Sequence, residues 1–168
     1  MTQTPTAAPD HQARKSQKII VTGAAGLVGQ NLIPRLKARG FSNIVGIDKH
    51  PVNTKILADL HPDIEVVEAD LTKPGDWQKC FSGVDTLVLN HAQIGALDEK
   101  PFLDNNVTAT LHVLDAARQG GVGQIVHISS SVVNSLAHDF YTESKKAQEK
   151  LVVDSGLPCC VLRPTLMF

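Results

Sequence analysis

The stretch that decides the fold is "KIIVTGAAGLVG", residues 18–29. A run rich in β-branched residues leads straight into Gly23, Gly26 and Gly29, and then into a segment of helical period. A strand, a G-x-x-G-x-x-G turn and a helix in immediate succession form a dinucleotide-binding arrangement. The turn needs a permissive backbone, a pyrophosphate needs close approach to main-chain N–H groups, and the helix must pack tightly on the strand. The helix beginning near Leu27 and Val28 would aim its positive N-terminus at the phosphates. Gly23, Gly26, Leu27, Val28 and Gly29 are therefore the expected cofactor cradle.

Beyond this stretch, short apolar runs alternate with longer segments of helical period. "NIVGID" (43–48), "IEVVEAD" (64–70), "GVDTLVLN" (83–90), "GQIVHISS" (123–130) and "LPCCVLR" (157–163) predict five further strands. "LVGQNLIPRLKARG" (27–40) predicts a helix that Pro34 interrupts and Gly40 stops. A long helix is expected over 101–121, starting at a proline and ending at glycines, and another over 139–156, closed by Gly156. Apolar strands joined through helices argue an α/β fold, a doubly wound parallel sheet covered on both faces.

The length suggests one domain over 18–168, preceded by a polar, proline-containing stretch (1–17) that reads as a disordered tail. That stretch lacks the apolar core of a secretory signal. A net charge of -1 gives no electrostatic reason to expect nucleic acid or an anionic membrane as partner. No apolar run approaches the ~20 residues that span a bilayer. Cys80, Cys159 and Cys160 cannot all pair within the chain, and the last two lie in an apolar run, as buried free thiols do. None of the cysteines or histidines has metal-ligand spacing, so no metal is expected and a reducing cytoplasm fits.

Two acids end strands where a dinucleotide would need them. Asp48 lies 19 residues past Gly29. A carboxylate there can accept from both ribose hydroxyls and repels a 2′-phosphate, favouring NAD over NADP, although Lys49 beside it would offset the preference. Asp70, followed by Leu71, could hydrogen-bond the adenine amine or cap the next turn. Farther on, "YTESK" (141–145) holds the chain's one tyrosine with a lysine one helical turn later. A phenol with a pKa near 10 is a poor base at neutral pH, and a neighbouring ammonium favours the phenolate.

"TGAAGLVG", "ADL" (69–71), "LNHAQ" (89–93), "NNVTAT" (105–110), "IVHISSS" (125–131), "YTESK" and "LRPT" (162–165) occur in one order. In that order they resemble the extended short-chain dehydrogenases/reductases, the NAD-dependent epimerase/dehydratase family. The resemblance covers residues 18–168 and implies a Rossmann fold. It makes Tyr141 the catalytic acid/base, Lys145 its partner and holder of the nicotinamide ribose, and Ser130 the serine that orients the reacting oxygen, with Ser129 and Ser131 competing. It also places Asn90, Ala92, Asn106 and Pro164 around the cofactor, whereas His91 reads either as a plain polar loop residue or as one touching the cofactor region.

The implied activity is that of an NAD-dependent oxidoreductase, epimerase or dehydratase. It would oxidise a secondary hydroxyl of a small molecule, a nucleotide sugar or similar, in a homodimer. A non-catalytic NAD(P)-binding module, serving as sensor or structural subunit, is the alternative. In the family a substrate-binding segment follows "LRPT", so the chain reads as a truncated, cofactor-binding half.

Overall fold

The computed structural model describes residues 11–165. The first ten residues of the expected tail lie outside the described residues. Six parallel strands form one sheet: β1 (Lys18–Thr22), β2 (Asn43–Asp48), β3 (Glu65–Glu68), β4 (Thr86–Leu89), β5 (Gln124–Ile128) and β6 (Cys159–Leu162). Their spatial order is β3-β2-β1-β4-β5-β6. The chain builds outward from β1 to β3, then crosses over and builds outward from β4 to β6. A crevice opens where that order reverses, beyond the C-terminal ends of β1 and β4.

Burial along β1 shows why the strand reads as a continuous apolar run. Ile20 packs with Val45, Leu87, Val113 and Phe81 on one face. Its neighbours Ile19 and Val21 pack with Ile33, Ile44 and Leu57 on the other. Both faces are covered, so the period-2 alternation of a half-solvated strand is absent.

The helices are α1 (His11–Ser16), α2 (Leu27–Ala38), α3 (Pro51–Leu60), α4 (Lys100–Phe102), α5 (Ala109–Gly120) and α6 (Phe140–Val153). α2 tolerates Pro34 because that residue is exposed, so a carbonyl deprived of its N–H partner can meet water. α3 has no side-chain cap to announce it; Pro51 opens it and Thr54 and Leu57 anchor it.

Four expectations change. Part of the expected tail is helical: Arg14 Nη1 donates to the Arg39 carbonyl at 3.3 Å, and Ser42 Oγ donates to the Lys15 carbonyl at 3.4 Å, tying α1 to the turn after α2. The single helix expected over 101–121 contains a π-helical segment, Leu103–Thr108, between α4 and α5. The predicted strands over 64–70, 83–90, 123–130 and 157–163 are shorter than their apolar runs because pairing with neighbours limits them. Cys159 and Cys160 are exposed rather than buried, because β6 is an edge strand paired on one side alone, with β5.

Candidate functional site

A cavity of about 490 Å³ occupies the crevice at the ends of β1 and β4. Gly23, Gly26, Leu27 and Val28 form its floor at the start of α2. Gly23 has φ +64, and a Cβ there would lie 2.8 Å from the His91 backbone. Any side chain would thus be strained and would collide with the neighbouring loop. Gly26 is the N-cap of α2, and no side chain caps that helix, which leaves its first turn open to an anion. Gly29 does not line the cavity. A Cβ on it would stand 2.4 Å from the Ala24 carbonyl oxygen, so it serves the close packing of helix on turn.

Asp48, at the end of β2, is buried and lines the cavity. Its Oδ2 accepts from Ala25 N at 3.0 Å and its Oδ1 from His50 N at 3.1 Å. The carboxylate is thereby fixed against the glycine turn with acceptor capacity remaining. Lys49, also on the wall, donates to Asn105 Oδ1 at 2.6 Å. Asp70 lines the cavity with Leu71, and its Oδ1 accepts from Thr72 N and Oγ1 at 3.0 and 2.8 Å, capping the turn that follows. Asn90 and Ala92 border the cavity; Asn90 Nδ2 donates to the Gly23 carbonyl at 3.1 Å.

Tyr141 and Lys145 open on the same cavity from the first turns of α6. Asp139 caps that helix, accepting from Thr142 N at 2.8 Å, and Phe102 flanks the Tyr141 ring with centroids 6.5 Å apart. Lys145 is 1 % exposed. Burial pushes its ammonium down to about 8, with the Glu149 carboxylate pulling the other way, so at neutral pH it remains mostly charged.

Of the three competing serines, Ser129 stands in the cavity wall and Ser130 does not. The reason is local: the chain turns at Ser130 into a 3₁₀ segment, Ser131–Asn134, with the Ser130 hydroxyl accepting from Val132 N at 3.3 Å. Ser129 Oγ donates its single proton to Glu149 Oε2 at 2.6 Å. Glu149 in turn holds Arg163 through Nε and Nη2 at 3.0 and 2.5 Å.

Asn106 also lies off the wall. It is fully buried in the π segment, where Oδ1 accepts from Gln93 N at 2.6 Å and Nδ2 donates to Ser144 Oγ at 2.9 Å. It braces α6 instead of facing the cavity. Pro164 is likewise off the wall, accepting from Ser131 N at 2.9 Å, while its neighbour Thr165 lines it.

His91 is no loop bystander. Its ring bridges Thr22 Oγ1 (Nδ1, 2.9 Å) and Thr110 Oγ1 (Nε2, 3.2 Å), and burial, then the Lys145 charge, push it down to about 3. Sequence reasoning also passed over Gln148, Glu149 and Arg163. Nothing in the spacing of Gln148 and Glu149 to Tyr141 distinguishes them from a solvated helix face, and "LRPT" gives Arg163 no partner. Among the described residues no group of three His, Cys, Asp or Glu could hold a metal ion. No helix there is long and apolar enough to cross a membrane.

A glycine turn without side chains, an open helix N-terminus and a buried carboxylate at the next strand end suit a dinucleotide; a tyrosine and a buried lysine share its cavity. This is the architecture of a dinucleotide-binding Rossmann domain. The sequence pattern of the NAD dependent epimerase/dehydratase family matches residues 19–168, and the chain belongs to that family.

A 3 beta-hydroxysteroid dehydrogenase/Delta 5-->4-isomerase of Mycobacterium tuberculosis (strain ATCC 25618 / H37Rv) is 28% identical over 88% of this chain and 46% of its own length. A UDP-glucose 4-epimerase of Mycolicibacterium smegmatis is 34% identical over 67% of this chain and 38% of its own. The chain thus spans about half the length, or less, of these curated relatives. Among solved structures, UDP-glucuronic acid 4-epimerase from Bacillus cereus in complex with NAD superposes with a TM-score of 0.76. It is 25% identical, over 89% of this chain and 57% of that one.

Proposed function

We propose that this chain carries the cofactor-binding and catalytic residues of an NAD-dependent enzyme of the extended short-chain type that oxidises a secondary hydroxyl of a small molecule. One observation carries the reading: Tyr141 and Lys145 line the same cavity as the glycine turn and Asp48. When bound, NAD supplies the hydride acceptor. Gly23, Gly26 and the first turn of α2 would hold its phosphates, Asp48 its adenosine ribose, and Asp70 and Leu71 the adenine edge.

Tyr141 takes the proton of the substrate hydroxyl as the hydride leaves carbon. Tyr141 acts in this step as the phenolate, which the Lys145 charge stabilises beforehand, and becomes a neutral phenol on taking the proton. Ser130 is the candidate for orienting the substrate oxygen. Its hydroxyl accepts from Val132 N and so keeps its own proton to donate, whereas Ser129 has given its proton to Glu149.

Nucleotide sugars are the favoured substrate class, since two of the relatives act on them by name. A homodimer through α5 and α6 is supported by Leu111 and Val153, which stand half-exposed on those helices. A cytoplasmic location fits three unpaired thiols.

The test is NADH formation by the protein carrying this chain with UDP-glucose, UDP-glucuronate and 3β-hydroxysteroids. Tyr141→Phe is expected to lower turnover by about 10²-fold or more with NAD affinity retained. Equal turnover in variant and wild type would overturn the assignment.

A further inference from the structure

Gln148 belongs to none of the sequence motifs, yet it is fully buried, on the same helix as Lys145 and less than one turn beyond it. Its Oε1 accepts from Lys145 Nζ at 2.5 Å. Its Nε2 donates to Thr110 Oγ1 at 3.0 Å and to the His91 carbonyl at 3.2 Å. The amide has one orientation that satisfies these partners. A lysine ammonium only donates and a carbonyl only accepts, so the oxygen must face Lys145 and the nitrogen must face His91.

Beyond the amide, Thr110 Oγ1 receives from Gln148 and lies 3.2 Å from His91 Nε2. The ring is neutral, because burial first and the Lys145 charge next hold it down to about 3, and its Nδ1 lies 2.9 Å from Thr22 Oγ1. Thr22 Oγ1 also accepts from Asn90 N at 3.1 Å and from His91 N at 3.4 Å. A hydrogen-bonded chain thus runs from Lys145 through α6, α5 and the loop after β4 to the end of β1.

Resting on the reading of Lys145 as the partner of Tyr141, we infer that Gln148 is the positioning residue of Lys145, holding its ammonium at the cavity wall through the chain Thr110–His91–Thr22. Lys145 has a second anchor in the Ile128 carbonyl at 3.2 Å, which leaves a third N–H for the cavity. The charged and titratable groups around the ammonium are Glu149 and Tyr141 on α6, His127 on β5 and His91 after β4. Glu149 favours its charge, while burial opposes it. His127 and His91, neutral at pH 7, contribute no opposing charge. Among the described residues, Gln148 supplies the one side-chain acceptor bonded directly to Nζ.

The test reads the titration of Lys145 by NMR in ¹³C-lysine-labelled protein, with the resonance assigned by its loss in Lys145→Met. It needs neither NAD nor substrate. Gln148→Met keeps the length and removes the acceptor; it is expected to lower the Lys145 midpoint by about one pH unit or more, the scale of a lost hydrogen bond to a charge. Thr110→Val leaves Gln148 in place but removes one of its two anchors, and the midpoint should fall in the same direction by less. Gln148→Glu should raise it. Where turnover is measurable, the basic limb of the pH–rate profile should move with the midpoint.

If Gln148→Met is too unstable to titrate, Thr110→Val and Gln148→Glu decide the matter, by a fall and a rise respectively. Midpoints that stay at the wild-type value in the folded variants would overturn the inference. Full turnover by Tyr141→Phe alongside a shifted Lys145 would instead sink the functional reading and leave the hold of Gln148 on Lys145 standing.

Discussion

His127 is fully buried in β5; its Nδ1 donates to the Leu89 carbonyl at 3.3 Å, while its Nε2 has no partner. Burial, and after it the Lys145 charge, push the imidazole down to about 4. An unfolded histidine titrates near 6.5, so between about pH 6.5 and pH 4 the unfolded chain binds a proton that the folded chain refuses. The contribution to stability is complete above about 6.5 and falls as the pH drops toward 4, by on the order of 3 kcal/mol. His127→Leu should flatten that part of the curve, measured as the urea midpoint across this range; a parallel wild-type slope would refute the account. Glu149 works with the opposite chemistry and the same sign. Hydrogen bonds from Arg163 hold its carboxyl below the usual range, against burial and with help from Ser129, so its contribution is present above about 4.3 and is lost in acid. Neither residue was singled out by sequence reasoning, because burial and an orphaned ring nitrogen have no sequence signature.

The junction of β1 with α2 separates two kinds of glycine. At Gly29 an added Cβ would meet the Ala24 carbonyl oxygen at 2.4 Å, and the obstruction is backbone, which cannot swing aside. At Gly26 the nearest atom would be 3.4 Å away. Gly29→Ala is therefore expected to cost about 1–3 kcal/mol in urea unfolding and to weaken NAD binding as α2 is pushed off the turn. Gly26→Ala should leave stability within about 1 kcal/mol of wild type and show its effect on the cofactor alone, by calorimetric titration. Equal losses in both would contradict this division of roles. The G-x-x-G-x-x-G spacing predicted cofactor contact for all three glycines and could not separate them, since the distinction depends on which atoms lie beyond each Cα. The π segment Leu103–Thr108 is a similar case. Its residues read as ordinary helix, and packing against α6, where Asn106 bonds Ser144, accompanies the departure.

For the molecule as a whole, a ligand bound by the folded chain alone must raise its stability. NAD at about 100 times its dissociation constant should add about 2.7 kcal/mol, seen as a rise in melting temperature. NADP should give a smaller rise at the same concentration, because Asp48 would face its 2′-phosphate; equal rises would overturn the role assigned to Asp48. The sheet order was foreseeable because β1, its glycine turn and the strand–helix alternation each point to the same doubly wound topology, and local and global preferences agree. Tyr141, Lys145, Asp48 and the glycines were likewise foreseeable, since short-range spacing carries their chemistry. By itself the sequence determined the family, the parallel sheet and part of the cavity lining, Gly23, Gly26, Asp48, Tyr141 and Lys145. Tertiary structure alone decided that Gln148, Thr110, His91 and Thr22 join into one chain beneath Lys145, that Ser129 is committed to Glu149, and that Asn106 braces a helix. Those contacts join residues from different elements, 19 to 69 positions apart where they cross between them. No local pattern encodes such pairs; they exist only once the sheet has brought its strand ends together.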